Sequence, residues 1–179
     1  MKHKQYGFTL VEIIVVIVVI GVLARILLGA YSGVQQRAEN GKTTTAVASY
    51  VRALLSYAQT NSIYPTATWS CMADANNACA LVSGSGTPCF GVGTASRGVA
   101  FDTEITTILS TLPQVSDQTL PCSTGSYQGG YFSSPDTKNI NMSFFLKGDQ
   151  TCPTYTGIAS PTKALTSNMT FCSYAFPAL

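Results

Sequence analysis

Residues 8–28 are almost wholly apolar, with only Glu12 and Arg25 charged, and no proline occurs from there until Pro65. A stretch with that composition and no proline has little to do but form one long helix, because proline is the residue that most firmly interrupts one. Its first part has the length of a membrane span, about 20 mainly apolar residues. Glu12 sits near the start of that span. A carboxylate in lipid costs roughly 2.5–3.5 kcal/mol at mid-bilayer and less near an interface, so this acid calls for a partner.

The helical pattern continues beyond the apolar run. Residues 34–61 are amphipathic, and Val47, Val51, Leu54 and Ala58 follow 4-3-4 spacing with Tyr50 and Tyr57 beside them. That is a stripe on one helical face. Arg37, Glu39, Lys42 and Arg52 lie off the stripe, and Gly41 is a weak point. The proline at 65 biases Tyr64 away from helix, so the helix should end near Asn61. A helix over residues 8–61 would be about 81 Å long. Its first half is hydrophobic all round, and its second half must pack its stripe on something.

Three readings compete for the N-terminus. A cleavable secretory signal also opens with basic residues, here Lys2, His3 and Lys4. It fits poorly, because Glu12 interrupts the core and Leu28-Gly29-Ala30 lacks a small residue at its outer position. A plain membrane anchor fits better. The lysines favour a cytoplasmic N-terminus, and Arg25 can snorkel to the far surface.

The third reading joins these facts. Gly7-Phe8-Thr9-Leu10-Val11-Glu12, behind a basic leader and ahead of the run from Ile13 to Ala24, resembles the N-terminus of type IV pilins, the class III signal peptide proteins. Tyr31 also falls where that family usually has a tyrosine. The resemblance implies that a prepilin peptidase cuts between Gly7 and Phe8, and that the new Phe8 amine is methylated. It implies that Glu12 serves assembly by pairing with the Phe8 amine of a neighbouring subunit. Removing one partner of such an ion pair in low dielectric is strongly unfavourable, so the pair sets register. Two residues depart from the family pattern. Gly29 stands where many members have proline, so a bend there is less compelled. Arg25 stands where a small apolar residue is usual, and a stagger of thirteen residues, about 20 Å of helix, would bring it to a neighbour's Glu12.

The cysteines speak for the compartment. Cys71, Cys79, Cys89, Cys122, Cys152 and Cys172 all lie beyond the membrane-length segment. An even count in a small exported domain reads as disulfides, and six cysteines allow fifteen connectivities. The local choice pairs Cys71 with Cys79 and Cys152 with Cys172, leaving Cys89 with Cys122. There is no C-x-x-C, and the one histidine, His3, lies in the leader, so no zinc site is expected. Asp74-Ala75-Asn76-Asn77 has oxygen donors for calcium but reads as a turn.

Residues 66–179 form the expected head. They hold four basic and six acidic residues, a balance that gives no footprint for nucleic acid. Ser83-Gly84-Ser85-Gly86-Thr87-Pro88 reads as a loop, and residues 101–112 as a short helix with Asp102 as its cap and Glu104 on its positive end. Residues 127–133, 140–147 and 168–176 read as strands, rich in aromatic and β-branched residues. Three strands in sequence favour an antiparallel meander whose apolar face covers the stripe. The sequons at Asn141 and Asn168 both fall in expected strands. The expected class is α+β, a pilin fold with a long N-terminal α-helix on a C-terminal antiparallel β-sheet with disulfides. Its parts would be a leader (1–7), a transmembrane and assembly half-helix (8–34), an amphipathic half-helix (35–65) and a globular head (66–179).

No catalytic set stands out. A Ser-His-Asp or Cys-His arrangement has no histidine beyond the leader, and phosphate-loop and dinucleotide motifs are absent, Gly91-Val92-Gly93 lacking the rest of a fingerprint. No enzyme activity, cofactor or metal is expected. The resemblance implies a structural subunit that waits in the membrane lipid and is then assembled by an ATPase and a platform protein into a helical homo-oligomeric filament at the cell surface, for adhesion, twitching motility or DNA uptake. The alternatives are a pseudopilin of a type II secretion system and a non-polymerising surface binding protein anchored by one helix.

Overall fold

A computed structural model describes residues 9–72, 98–116, 120–122, 125–127, 129–166 and 168–179, the side chains of 27–30, 120–122, 125–127 and 166 excepted. The 8–28 run and the amphipathic stretch after it are one element, α1 (Leu10–Asn61). By its internal contacts the chain divides into two compact units, Met1–Ala38 and Glu39–Leu179, and α1 contributes to both.

In the first unit α1 stands free. Its large side chains from Leu10 to Ile26 are 47–75% exposed on every face of the helix. No described residue of this unit offers them the apolar environment that a segment hydrophobic all round requires.

The second unit buries the stripe. Val47, Val51, Leu54 and Ala58 are almost wholly buried, with Tyr50 and Tyr57 beside them. The helix closes as expected at Asn61. Ser62 takes a left-handed conformation (φ +56°) and its N–H donates to Ala58 O at 2.8 Å, the usual way of ending a helix.

Against the stripe lies a five-stranded antiparallel sheet. Its strands are β1 (Ser70–Cys71), β4 (Gly130–Asp136), β5 (Asn139–Lys147), β6 (Thr162–Thr166) and β7 (Met169–Ala175), in the order β1-β4-β5-β7-β6. A separate antiparallel pair is formed by β2 (Leu120–Cys122) and β3 (Gly125–Tyr127). β4, β5 and β7 are the three expected strands, and their antiparallel pairing gives the α+β architecture read from the sequence. Alternation decides which face they bury. Ile140, Met142, Phe144 and Leu146 of β5 belong to the core with Tyr50 and Leu54. Phe132 packs edge-on to Tyr50 at 5.2 Å between ring centroids and stacks on Phe101 at 4.6 Å. Such pairs add about 0.5–1.5 kcal/mol each beyond area burial. Gly130 opens β4 because a Cβ there would lie 2.8 Å from Met72 Sδ and 2.9 Å from Ser143 O.

Several expectations are corrected. The strand expected over 127–133 is β4, three residues later, because Gly129 at φ +66° turns the chain after β3. The short edge strands β1 and β6 are additions that lack a long alternating pattern. Asn168 lies in the turn before β7, exposed, rather than in a strand. The helix expected over 101–112 is α2 (Val99–Ile105) and stops early. The hydroxyls of Thr106 and Thr107 donate to the carbonyls of Thr103 and Glu104, and side chains that bond the local backbone compete with helix. Asp102 does not cap it: it is buried within the helix, and Gly98 holds the cap position. Glu104 instead accepts from Thr66 N–H at 2.8 Å.

Cys152 and Cys172 form the expected disulfide, with Cα atoms 5.7 Å apart. Cys71 is also disulfide-bonded. Cys79, Cys89 and the side chain of Cys122 lie outside the described residues, and the pairings Cys71–Cys79 and Cys89–Cys122 with them. The loop at 83–88, the Asp74–Asn77 turn and Gly91-Val92-Gly93 lie outside them too.

Candidate functional site

The start of α1 is built by Thr9 and Glu12. The Thr9 N–H and the Thr9 hydroxyl both donate to Glu12 Oε2 at 2.8 Å. In return Glu12 N–H donates to Thr9 Oγ1 at 3.3 Å. This is a capping box, in which the helix's first residues satisfy one another's orphan donors. The carboxylate also sits at the positive end of the helix dipole. Glu12 Oε1 accepts no hydrogen bond among the described residues, so one oxygen is committed to the cap and the other faces outward. The sequence pattern draws the eye to Glu12, and Thr9 is the residue it leaves out. The signal was present, since a threonine three residues before an acid at the head of an apolar run is the box's signature.

Gly7 and Phe8, the expected cut and methylation site, lie outside the described residues. Arg25 is exposed, thirteen residues along the same helix from Glu12, and no ion pair between the two forms within the chain among the described residues.

In the second unit a row of polar contacts fixes α1 to the head. Asn40 Nδ2 donates to Lys147 O at 3.0 Å, and Lys147 N–H donates to Asn40 Oδ1 at 2.9 Å. Ser116 N–H donates to Thr43 Oγ1 at 3.1 Å, and Ser116 Oγ donates to Glu39 Oε2 at 2.6 Å. Glu39, expected off the packing face, is thus half-buried and tied to the head. No group of three metal-ligating side chains occurs among the described residues.

Residues 2–28 match the family described as the prokaryotic N-terminal methylation motif. Among curated proteins the chain is similar to the Type II secretion system core protein G of Vibrio cholerae, 40% identical over 64 residues, covering 36% of this chain and 44% of that protein. The protein of the same name from Escherichia coli K12 is 43% identical over 63 residues, 35% of this chain and 43% of that protein. That of Dickeya chrysanthemi is 39% identical over 66 residues, 37% of this chain and 43% of that protein. No solved structure matches the chain. The chain therefore carries a prepilin-type N-terminal methylation motif, as its resemblance to the type IV pilin class indicated. It spans less than half the length of the curated relatives it matches.

Proposed function

We propose that this chain is a structural subunit that is processed by prepilin peptidase and polymerised through the first half of α1, and that it works as a pseudopilin of a type II secretion system. The carrying observation is the apolar half-helix, exposed on every face and headed by the Thr9–Glu12 box. A helix of that composition needs lipid first and other copies of itself afterwards. The similarity to several proteins named core protein G supports the secretion assignment over a pilus. In this reading Gly7-Phe8 is the cut, Phe8 carries the methylated amine, and Glu12 receives the amine of a neighbour. Arg25 is a second charge that a staggered neighbour's acid can meet. An assembly ATPase and a platform protein drive extraction from the membrane, and the chain performs no catalysis.

A type IV pilus is the second reading. The similarity to core protein G covers only 36% of this chain, so the pilin resemblance of the N-terminus supports this reading equally, and the Cys152–Cys172 disulfide is compatible with both. One experiment separates the readings. The full-length chain is expressed in its native host, filaments are sheared from the surface, and their subunit is identified by mass spectrometry. A subunit beginning at methylated Phe8 in a periplasmic fraction, with surface filaments absent until overexpression, supports the pseudopilin. The same subunit in abundant surface fibres at native expression supports the pilus. A chain still carrying residues 1–7 and never found in an oligomer would overturn both.

A further inference from the structure

Trp69, the only tryptophan in the chain, is 43% exposed and has φ +51°. Positive φ is an outlier for a bulky residue, so the backbone there is strained. The strain falls one residue before β1 and sets the indole on the head surface. Tyr131, itself buried, backs it, with the rings stacked at 5.3 Å and 27°. The indole lines a groove of about 280 Å³ together with Thr68, Ser133, Ser134, Pro135 and Asn141. Ser133 and Asn141 are directly opposed in the β4–β5 register, beside the irregularity that ends the pairing of β4. They alternate with Phe132 and Met142 of the core, so they lie on the sheet face turned away from α1.

The groove's chemistry is specific. Among the described residues its lining holds no charged side chain. Among the described residues no hydrogen bond engages the Trp69 indole N–H, the Thr68 and Ser133 hydroxyls or the Asn141 amide. A neutral ligand with hydroxyl groups on its rim and an apolar C–H face answers all of these at once. The C–H face stacks on the electron-rich indole, and the hydroxyls bond the amide and the hydroxyls beneath. The volume is at the lower edge of the roughly 300–1,000 Å³ found for small-molecule sites, which suits a short saccharide rather than a large one.

We propose that this groove is a binding site for a neutral pyranose sugar, with Trp69 as the stacking platform and Asn141 and Ser133 as the hydrogen-bonding floor. The proposal concerns the head alone and stands whichever filament the chain belongs to.

The test uses the full chain in a zwitterionic detergent without a sugar head group. Cellobiose and N,N′-diacetylchitobiose are the neutral probes, and a sialylated oligosaccharide is the charged control. Because Trp69 is the sole tryptophan, its emission reports the groove directly. A saturable change at millimolar or lower concentration with a neutral probe is expected, and none with the charged control. Asn141→Ala, which keeps the reporter, should weaken binding about tenfold or more while leaving the circular dichroism spectrum unchanged. Trp69→Phe should weaken it as well, read by calorimetry. Absence of a saturable change with both neutral probes in a folded wild-type chain would overturn the proposal. So would equal binding by wild type and Asn141→Ala. If neither probe binds but Trp69→Ala lowers filament yield, the groove is a contact between subunits and the sugar site is wrong.

Discussion

Asn40 of α1 and Lys147 at the end of β5 exchange two hydrogen bonds, so that a helix side chain continues the sheet's own ladder. The amide offers a donor and an acceptor in the geometry of a backbone peptide, which no carboxylate or hydroxyl does. Glu39 and Thr43, one residue before Asn40 and three after, each accept a hydrogen bond from Ser116. The amphipathic half of the helix is thereby keyed to the head by polar contacts as well as by the apolar stripe.

Asn40→Ala should therefore destabilise the head by about 1–3 kcal/mol, the range for removing a hydrogen-bonding partner from a partly buried site. Asn40→Asp keeps the acceptor for Lys147 N–H and loses the donor, so it should fall between. Urea unfolding followed by far-ultraviolet circular dichroism measures both. Equal midpoints for wild type and Asn40→Ala would show that the stripe alone fixes the helix.

The capping box makes a separable prediction about the other end of α1. Thr9→Ala removes the hydroxyl from both of its bonds and should weaken the first turn by about 1 kcal/mol, roughly a fivefold rise in its open population. Thr9→Ser keeps the hydroxyl and should restore protection. Amide hydrogen exchange at residues 10–13 in micelles reads this without reference to assembly. Glu12→Gln weakens the box less than Glu12→Ala, because its side-chain oxygen still accepts. It nonetheless removes the charge that a neighbour's amine needs. Filament yield by electron microscopy should fall sharply for both Glu12 variants, and a normal yield from Glu12→Gln would end the ion-pair role.

The disulfide closes a loop that contains all of β6 and its return to β7. Both sulfurs belong to buried residues. A loop of this length gives about 3 kcal/mol in the chain-entropy account. Cys152→Ser with Cys172→Ser should cost about 2–4 kcal/mol by the same measurement. The edge strand β6 should lose amide protection first, since it pairs with β7 alone.

Most of this architecture is legible in the sequence because hydrophobic period and proline placement act locally. Val47, Val51, Leu54 and Ala58 announce a buried face, and Pro65 its end. The three central strands announce themselves through Phe132, Phe144 and Tyr174. What the sequence hides is decided by distant partners. Thr162–Thr166 is a strand because β7 offers an edge, and its own residues say little about it. Glu104 leaves its helix end because Thr66 N–H lies within reach. The Trp69 groove joins residues some 70 positions apart, and its strained φ leaves no mark on composition. Thr9 is the exception, a local signal carried by its three-residue spacing to the more conspicuous acid.

Alkaline pH should expose a weakness in the core around Tyr155 and Tyr174. Burial pushes the Tyr155 phenol up to about 12. Tyr174 is raised further, by burial first and by Tyr155 second. Each phenol donates to a carbonyl, Tyr155 to Thr44 O at 3.4 Å and Tyr174 to Pro153 O at 2.6 Å, and a phenolate can donate to neither. In the unfolded chain both titrate near 10. The unfolded state therefore releases its protons first. The stabilisation is whole below about pH 10 and declines as pH rises from there toward about 12. Tyr155→Phe gives up only a long hydrogen bond, so its stability at neutral pH should stay within about 1 kcal/mol of wild type. Its decline above pH 10 should be shallower, because one titrating group is gone and Tyr174 loses the neighbour that raises it. Urea midpoints taken from neutral pH upward compare the two chains. Parallel alkaline declines for wild type and Tyr155→Phe would place the sensitivity elsewhere in the fold.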